Sequence, residues 1–130
     1  MRVFVTGGAG FIGSHTVLAL LRARYEVHVF DSFANSSPRA LRRVRELTGA
    51  PIGMTEGDVL DQKALNAAIA AFRPDAVIHF AGLKAVGESE EKPLDYFTVN
   101  VQGTVNLLRA MDRSGCKTIV FSSSATVYGE

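Results

Sequence analysis

The chain carries a single cysteine, Cys116, in 130 residues, so no disulfide can close within it, and a lone thiol suits a reducing compartment. Cytoplasm is therefore the expected location. No apolar run approaches the ~20 residues that a membrane helix needs, and glycines cut the N-terminal apolar stretch before a signal-peptide core could form. Neither sign of charge prevails: 14 Lys and Arg face 13 Asp and Glu, for a formal net charge of +1. That balance argues against an electrostatic nucleic-acid or membrane partner. His15, His28 and His79 are far apart and alternate with apolar residues, which fits core or surface histidines rather than metal ligands. Cys116 follows Gly115 at a helix exit with no basic pattern around it, as a structural thiol would. No linker, low-complexity tract or short repeat divides the sequence, so residues 1–130 are expected to form one domain.

What is present is a regular alternation. "RVFVT" reads as a buried strand, and Ser14 to Arg24 as a helix with Val17, Leu18 and Leu21 at helical spacing. "EVHVF" is a second strand and Pro38 to Leu47 a second helix, whose Arg39, Arg42, Arg43 and Arg45 form a solvated face. "PIGMTEGD" is a third strand, after which Asp61 can cap a helix carrying Leu65, Ala68, Ile69 and Phe72. "DAVIHFAG" is the fourth strand. A long helix runs from about Glu90 to Gly115, with Phe97, Val101, Thr104, Leu108 and Met111 on one expected buried face, and "KTIVFSSS" makes a fifth strand. Strands alternating with helices imply parallel pairing, hence an α/β, Rossmann-type doubly wound sheet with its ligand crevice at the carboxyl ends of the strands.

The glycines that break the first strand fit such a crevice. Gly7, Gly10 and Gly13 fall between a strand and a helix, where missing side chains permit a tight turn, close approach to a pyrophosphate and close helix packing. The helix N-terminus then offers unpaired N–H groups and the positive end of its dipole to an anion. Asp31 closes the second strand, where a carboxylate can accept from ribose hydroxyls and would repel a 2′-phosphate. NAD is therefore favoured over NADP; Arg39 is the nearby cation able to reverse that preference.

"TGGAGFIGSH", "GDV", "HFAGLKAVGES", "NVQGT" and "FSSSATVYG" together resemble the extended short-chain dehydrogenase/reductase family, in its nucleotide-sugar epimerase branch, along the whole of Met1 to Glu130. The resemblance implies that Phe11 and Ile12 join the glycines at the pyrophosphate, and that Asp31, Asn35 and Ser36 meet the adenosine ribose and its phosphate side. It places Asp58 and Val59 at the adenine, where a carboxylate can accept from the exocyclic amine and the next backbone N–H can donate to the ring. Phe80, Ala81, Gly82 and Lys84 would line the nicotinamide side, with Ser122 and Ser124 beside it. Asn100 is either a brace of the site or a satisfied buried amide. The implied reaction is a hydride shuttle at C4 of a UDP-hexose, in which Ser124 supports the developing oxyanion. A homodimer built partly on the long helix is implied as well.

The base expected in that family is the tyrosine of a Tyr-x-x-x-Lys helix some two dozen residues after Ser124, and the sequence shows none; Tyr25, Tyr96 and Tyr128 have no lysine four residues on. The expectation is a domain cut before that helix, inactive by itself, with an exposed fifth-strand edge prone to association. Ala125 and Thr126 stand where related dehydratases carry an Asp-Glu pair, which argues against elimination chemistry. Another nucleotide-sugar enzyme of the same family, such as a uronate epimerase, and a non-catalytic NAD-binding module are the alternatives.

Overall fold

The computed structural model describes residues 1–33, 38–80 and 93–121, with the side chains of Phe11 and of residues 93–100 outside the description. The elements are β1 (Arg2–Thr6), α1 (Phe11–Arg22), β2 (Glu26–Asp31), α2 (Arg39–Thr48), β3 (Gly53–Glu56), α3 (Gln62–Phe72), β4 (Ala76–His79), α4 (Pro93–Ser114) and β5 (Ile119–Phe121). All five strands pair in parallel, in the order β3-β2-β1-β4-β5. A parallel sheet covered by crossover helices is buried on both faces, so its central strands are apolar without interruption. β1 shows this, with Val3, Phe4 and Val5 all buried.

Alternation along the strands divides the core in two. Val3, Val5, Val27 and Val29 point to one face and pack with Val17 and Leu21 of α1 and Leu41 and Val44 of α2. Phe4, Phe30 and Val77 point to the other, against Leu65 and Ile69 of α3 and Leu107, Ala110 and Met111 of α4. Progress from β1 outward to β3 therefore runs with helices on one face, and progress from β4 to β5 with helices on the other. The order of strand addition switches sides between β1 and β4, the point above whose carboxyl ends such sheets bind their ligands.

The expected elements are all present, with shifted bounds. α1 begins at Phe11 rather than Ser14, because Gly10 already serves as its N-cap. β3 and β4 are each four residues, shorter than their apolar stretches suggested. Asp61 caps α3, accepting from Ala64 N at 3.1 Å. The expected face of α4 is corrected in part: Met111 is buried and Thr104 half-buried as expected, but Val101 and Leu108 are 45% and 43% exposed, while Gly103, Asn106, Leu107 and Ala110 turn inward. Both stripes carry apolar residues at helical spacing, so periodicity alone sets no phase. Glu90 lies outside the described residues, as does Phe97's side chain. Among the described residues β5 is the edge strand on that side, and its Val120 and Phe121 are 52% and 54% exposed. Cys116 is buried, with Sγ 3.9 Å from the Thr118 carbonyl oxygen, and Arg39, Arg42, Arg43 and Arg45 are exposed on α2.

Candidate functional site

β1 ends at Thr6 and passes directly into a glycine turn. Gly7 adopts φ +76°, a conformation that a Cβ makes costly. Its N–H donates to the Phe30 carbonyl at 2.9 Å, tying the turn to the end of β2. A Cβ on Gly13 would collide with the Gly7 carbonyl and lie 2.8 Å from Gly8 Cα, so only glycine lets α1 rest on the turn. A Cβ on Gly10 would meet nothing nearer than the Gly7 carbonyl oxygen at 3.6 Å, so the space above the turn is open. Gly10 contributes no side-chain cap, and the first-turn N–H groups of a helix have no acceptor within it. The result is an open helix end whose dipole favours an anion.

Asp31 stands beside this turn. Its Oδ2 accepts from Ala9 N at 3.0 Å and its Oδ1 from Phe33 N at 2.8 Å. Two backbone donors orient the carboxylate, yet it has about four lone-pair positions, so two remain for a ligand diol. The Gly-rich turn and the carboxylate are thus one hydrogen-bonded unit.

Asp58 and Val59 follow β3 at the same end of the sheet. Leu60 N donates to Asp58 Oδ1 at 2.9 Å and Asp61 N to the Asp58 carbonyl at 2.8 Å, which close the loop into a turn. Val59 buries its side chain, at 6% exposed, in the α3–α4 core, so only its backbone can meet a ligand. Phe80 packs its ring against the α1–α2 core, while its N–H donates to the Thr6 carbonyl at 2.8 Å. Ile12 is 53% exposed on the first turn of α1. Asn35, Ser36, Ala81, Gly82, Lys84, Ser122 and Ser124 lie outside the described residues, and so do the side chains of Phe11 and Asn100.

Two arrangements escape sequence reasoning. Thr6 and His79 are both buried at the carboxyl ends of adjacent β1 and β4, with Oγ1 and Nδ1 2.6 Å apart. His79 Nε2 is 3.5 Å from Thr104 Oγ1 on α4. A polar residue closing an apolar strand just before the glycines was the available signal for Thr6. The second is Asn106, whose Nδ2 donates to the Val59 carbonyl at 2.9 Å. No local pattern marks it.

The glycine turn, Asp31 and the Asp58–Val59 turn thus stand together beyond the carboxyl ends of β1, β2 and β3. The family model described as the NAD dependent epimerase/dehydratase family matches residues 3–130. The chain belongs to this family. Among curated members, UDP-glucose 4-epimerase of Mus musculus is 58% identical over 98% of this chain and that of Bacillus subtilis 54% over 99%. The chain spans 39% and 38% of their respective lengths. A crystal structure of UDP-glucose 4-epimerase from Bifidobacterium longum in complex with NAD+ and UDP superposes with a TM-score of 0.93 at 50% identity, covering 99% of this chain and 38% of that one. The family's doubly wound sheet is thus shared from end to end of the matched segment.

Proposed function

We propose that this chain is the NAD-binding portion of a UDP-glucose 4-epimerase, which interconverts UDP-galactose and UDP-glucose. The observation that carries the reading is the hydrogen bond from Ala9 N to Asp31 Oδ2, which joins a diphosphate cradle and a diol acceptor in one rigid unit. The relatives named above supply the substrate class.

The amides of the turn from Gly7 to Gly13, with Phe11 and Ile12, hold the diphosphate. Asp31 accepts from the adenosine ribose diol, its charge opposing a 2′-phosphate, with Asn35 and Ser36 on the adjacent phosphate side. Asp58 and the Val59 N–H read the adenine edge. Phe80, Ala81, Gly82, Lys84 and Ser122 would line the nicotinamide side, and Asn100 would brace it. Bound in this way, NAD supplies a hydride acceptor and donor for C4 of the UDP-hexose. Ser124 would hydrogen-bond the 4-hydroxyl and steady the oxygen as negative charge develops there. Proton removal calls for the tyrosine of a Tyr-x-x-x-Lys helix, which the 130 residues do not contain. Residues 1–130 thus form a nucleotide-binding domain that serves galactose metabolism in the cytoplasm. Val101 and Leu108, exposed on one side of α4, support pairing of two copies.

The test is conversion of UDP-galactose to UDP-glucose, followed by separating the two. We expect no turnover with residues 1–130 alone, because loss of a general base costs about 10²–10⁴ in rate before any loss of substrate positioning. Turnover is expected from the product of the whole reading frame. Epimerisation by a contamination-free 130-residue sample would overturn the assignment of the base, and an inactive whole product would overturn the activity.

A further inference from the structure

The loop that follows β3 is held from an unexpected direction. Its fixed point is the Val59 carbonyl, and the group that fixes it comes from α4, 47 residues on. Asn106 is 4% exposed and donates from Nδ2 to that carbonyl at 2.9 Å. Its Oδ1 accepts from Gln102 Nε2 at 2.8 Å, and its own backbone carbonyl accepts from Gln62 Nε2 at 2.8 Å. Gln62 Nε2 also donates to Asn66 Oδ1 at 2.9 Å, extending the seam along α3. An amide engaged at both ends cannot rotate freely, and an unpaired one at this depth would be costly.

A second observation points to the same place from the other side of the peptide. A Cβ at Gly103 would lie 2.7 Å from Val59 Cγ2, so α4 reaches Val59 only because residue 103 has no side chain. With its side chain wedged against Gly103 and its carbonyl anchored, Val59 has one polar backbone group left. That is its N–H, which donates to nothing among the described residues. Asp58 is engaged through Oδ1 with Leu60 N, and its Oδ2 remains open.

We propose that Asn106 is a positioning residue for base recognition: from α4 it fixes the Val59 peptide so that the Val59 N–H and the Asp58 carboxylate present one donor and one acceptor at the spacing of an adenine edge, with Gly103 providing the clearance. The inference rests on the NAD reading above and adds to it the element that sets base selectivity. It separates the site into a phosphate and ribose end held by backbone contacts of α1 and β2, and a base end held by side chains of α3 and α4.

The test uses the intact product of the reading frame, stripped of nucleotide, and compares affinities for NAD+, NADP+ and the deamino analogue of NAD+, in which hypoxanthine replaces adenine. The analogue turns the exocyclic donor into an acceptor and protonates the neighbouring ring nitrogen. The unaltered protein should prefer NAD+ over the analogue by about ten-fold, the size of one charge-assisted hydrogen bond. Asn106→Leu should reduce that preference to about two-fold or less while leaving the NAD+ over NADP+ preference in place, and Asn106→Gln should restore part of it. Should Asn106→Leu fail to fold, Gly103→Ala carries the test, since alanine favours the helix while its Cβ displaces Val59. Variants that keep the base preference, or lose both preferences together, would overturn the positioning role. An unaltered protein that binds NAD+ without preferring it to the analogue would overturn the inference alone, and one that binds no NAD+ would overturn the reading beneath it.

Discussion

The two faces of the sheet do the same packing work with different materials. On the α1–α2 face the core is valine and leucine, and the precision of the site comes from backbone meeting backbone at Gly13 and Gly7. On the α3–α4 face the core mixes phenylalanines with a polar seam of Gln62, Asn66, Gln102 and Asn106, and precision comes from side-chain hydrogen bonds. The difference suits the ligand parts proposed for each end. A diphosphate is bound by N–H groups and a helix dipole, which need proximity and no side chain. A base edge is read by a donor and an acceptor at set positions, and those must be braced.

The sharpest way to break this comparison is Gly13→Ala. The added methyl would drive α1 off the turn, and overpacking against backbone should cost at least about 2 kcal/mol in stability. NAD+ affinity should fall by about a hundred-fold or more, because the phosphate amides move with the turn. Calorimetric titration and chemical unfolding measure both. An alanine variant with near-normal affinity would mean that the turn does not carry the diphosphate.

Core truncations come next, one from each face. Leu41→Ala and Leu65→Ala remove side chains that are 1% and 0% exposed, and each should destabilise by about 2–5 kcal/mol in urea unfolding. If one costs less than about 1 kcal/mol, that face is not a core in the sense argued above. Asp31→Asn should weaken NAD+ by about ten-fold, through loss of charge-assisted acceptance from the diol, and should narrow the preference over NADP+. An unchanged ratio of the two cofactors would remove Asp31 from the ribose.

The smallest effect is a pH dependence on the α3 side. His28 stacks on Phe4 with ring centroids 5.7 Å apart, and its Nε2 lies 2.7 Å from Thr55 Oγ1. Burial, and secondarily the Arg2 guanidinium, hold its pKa below the ordinary 6.5. Arg2 is itself anchored by the Phe72 carbonyl and by Glu26. The unfolded chain therefore takes up the proton first. The contribution of neutral His28 is fully present above pH 6.5 and is lost as pH falls below it toward the lowered folded value. His28→Gln, which cannot titrate, should flatten that part of the stability profile in thermal melts recorded across the range. An unchanged profile would place the dependence elsewhere.

How far the sequence carried this differs between the same two regions. The strand and helix order, the glycine turn and Asp31 at the end of β2 were legible, because a turn, a helix start and a strand end each leave a local mark. The inward face of α4 was not. Val101 and Leu108 form as good an apolar stripe as Leu107 and Met111, and the tertiary partner that decides between them lies in α3 and β3. Asn106 was illegible for the same reason: its partner, the Val59 carbonyl, is a backbone atom 47 residues away. Thr6 and His79 stand in different strands and meet only through the parallel register of β1 and β4, Thr6 opposite His79. Interactions made by one segment with itself write a pattern into sequence, and those made across segments do not.

The most direct test of the central claim is a calorimetric titration of NAD+ into protein whose folding has been verified by circular dichroism. Saturable heat is expected at one site per chain, much reduced with NADP+ and with Gly13→Ala. A folded sample that gives no heat with either NAD+ or NADH at millimolar ligand would contradict it.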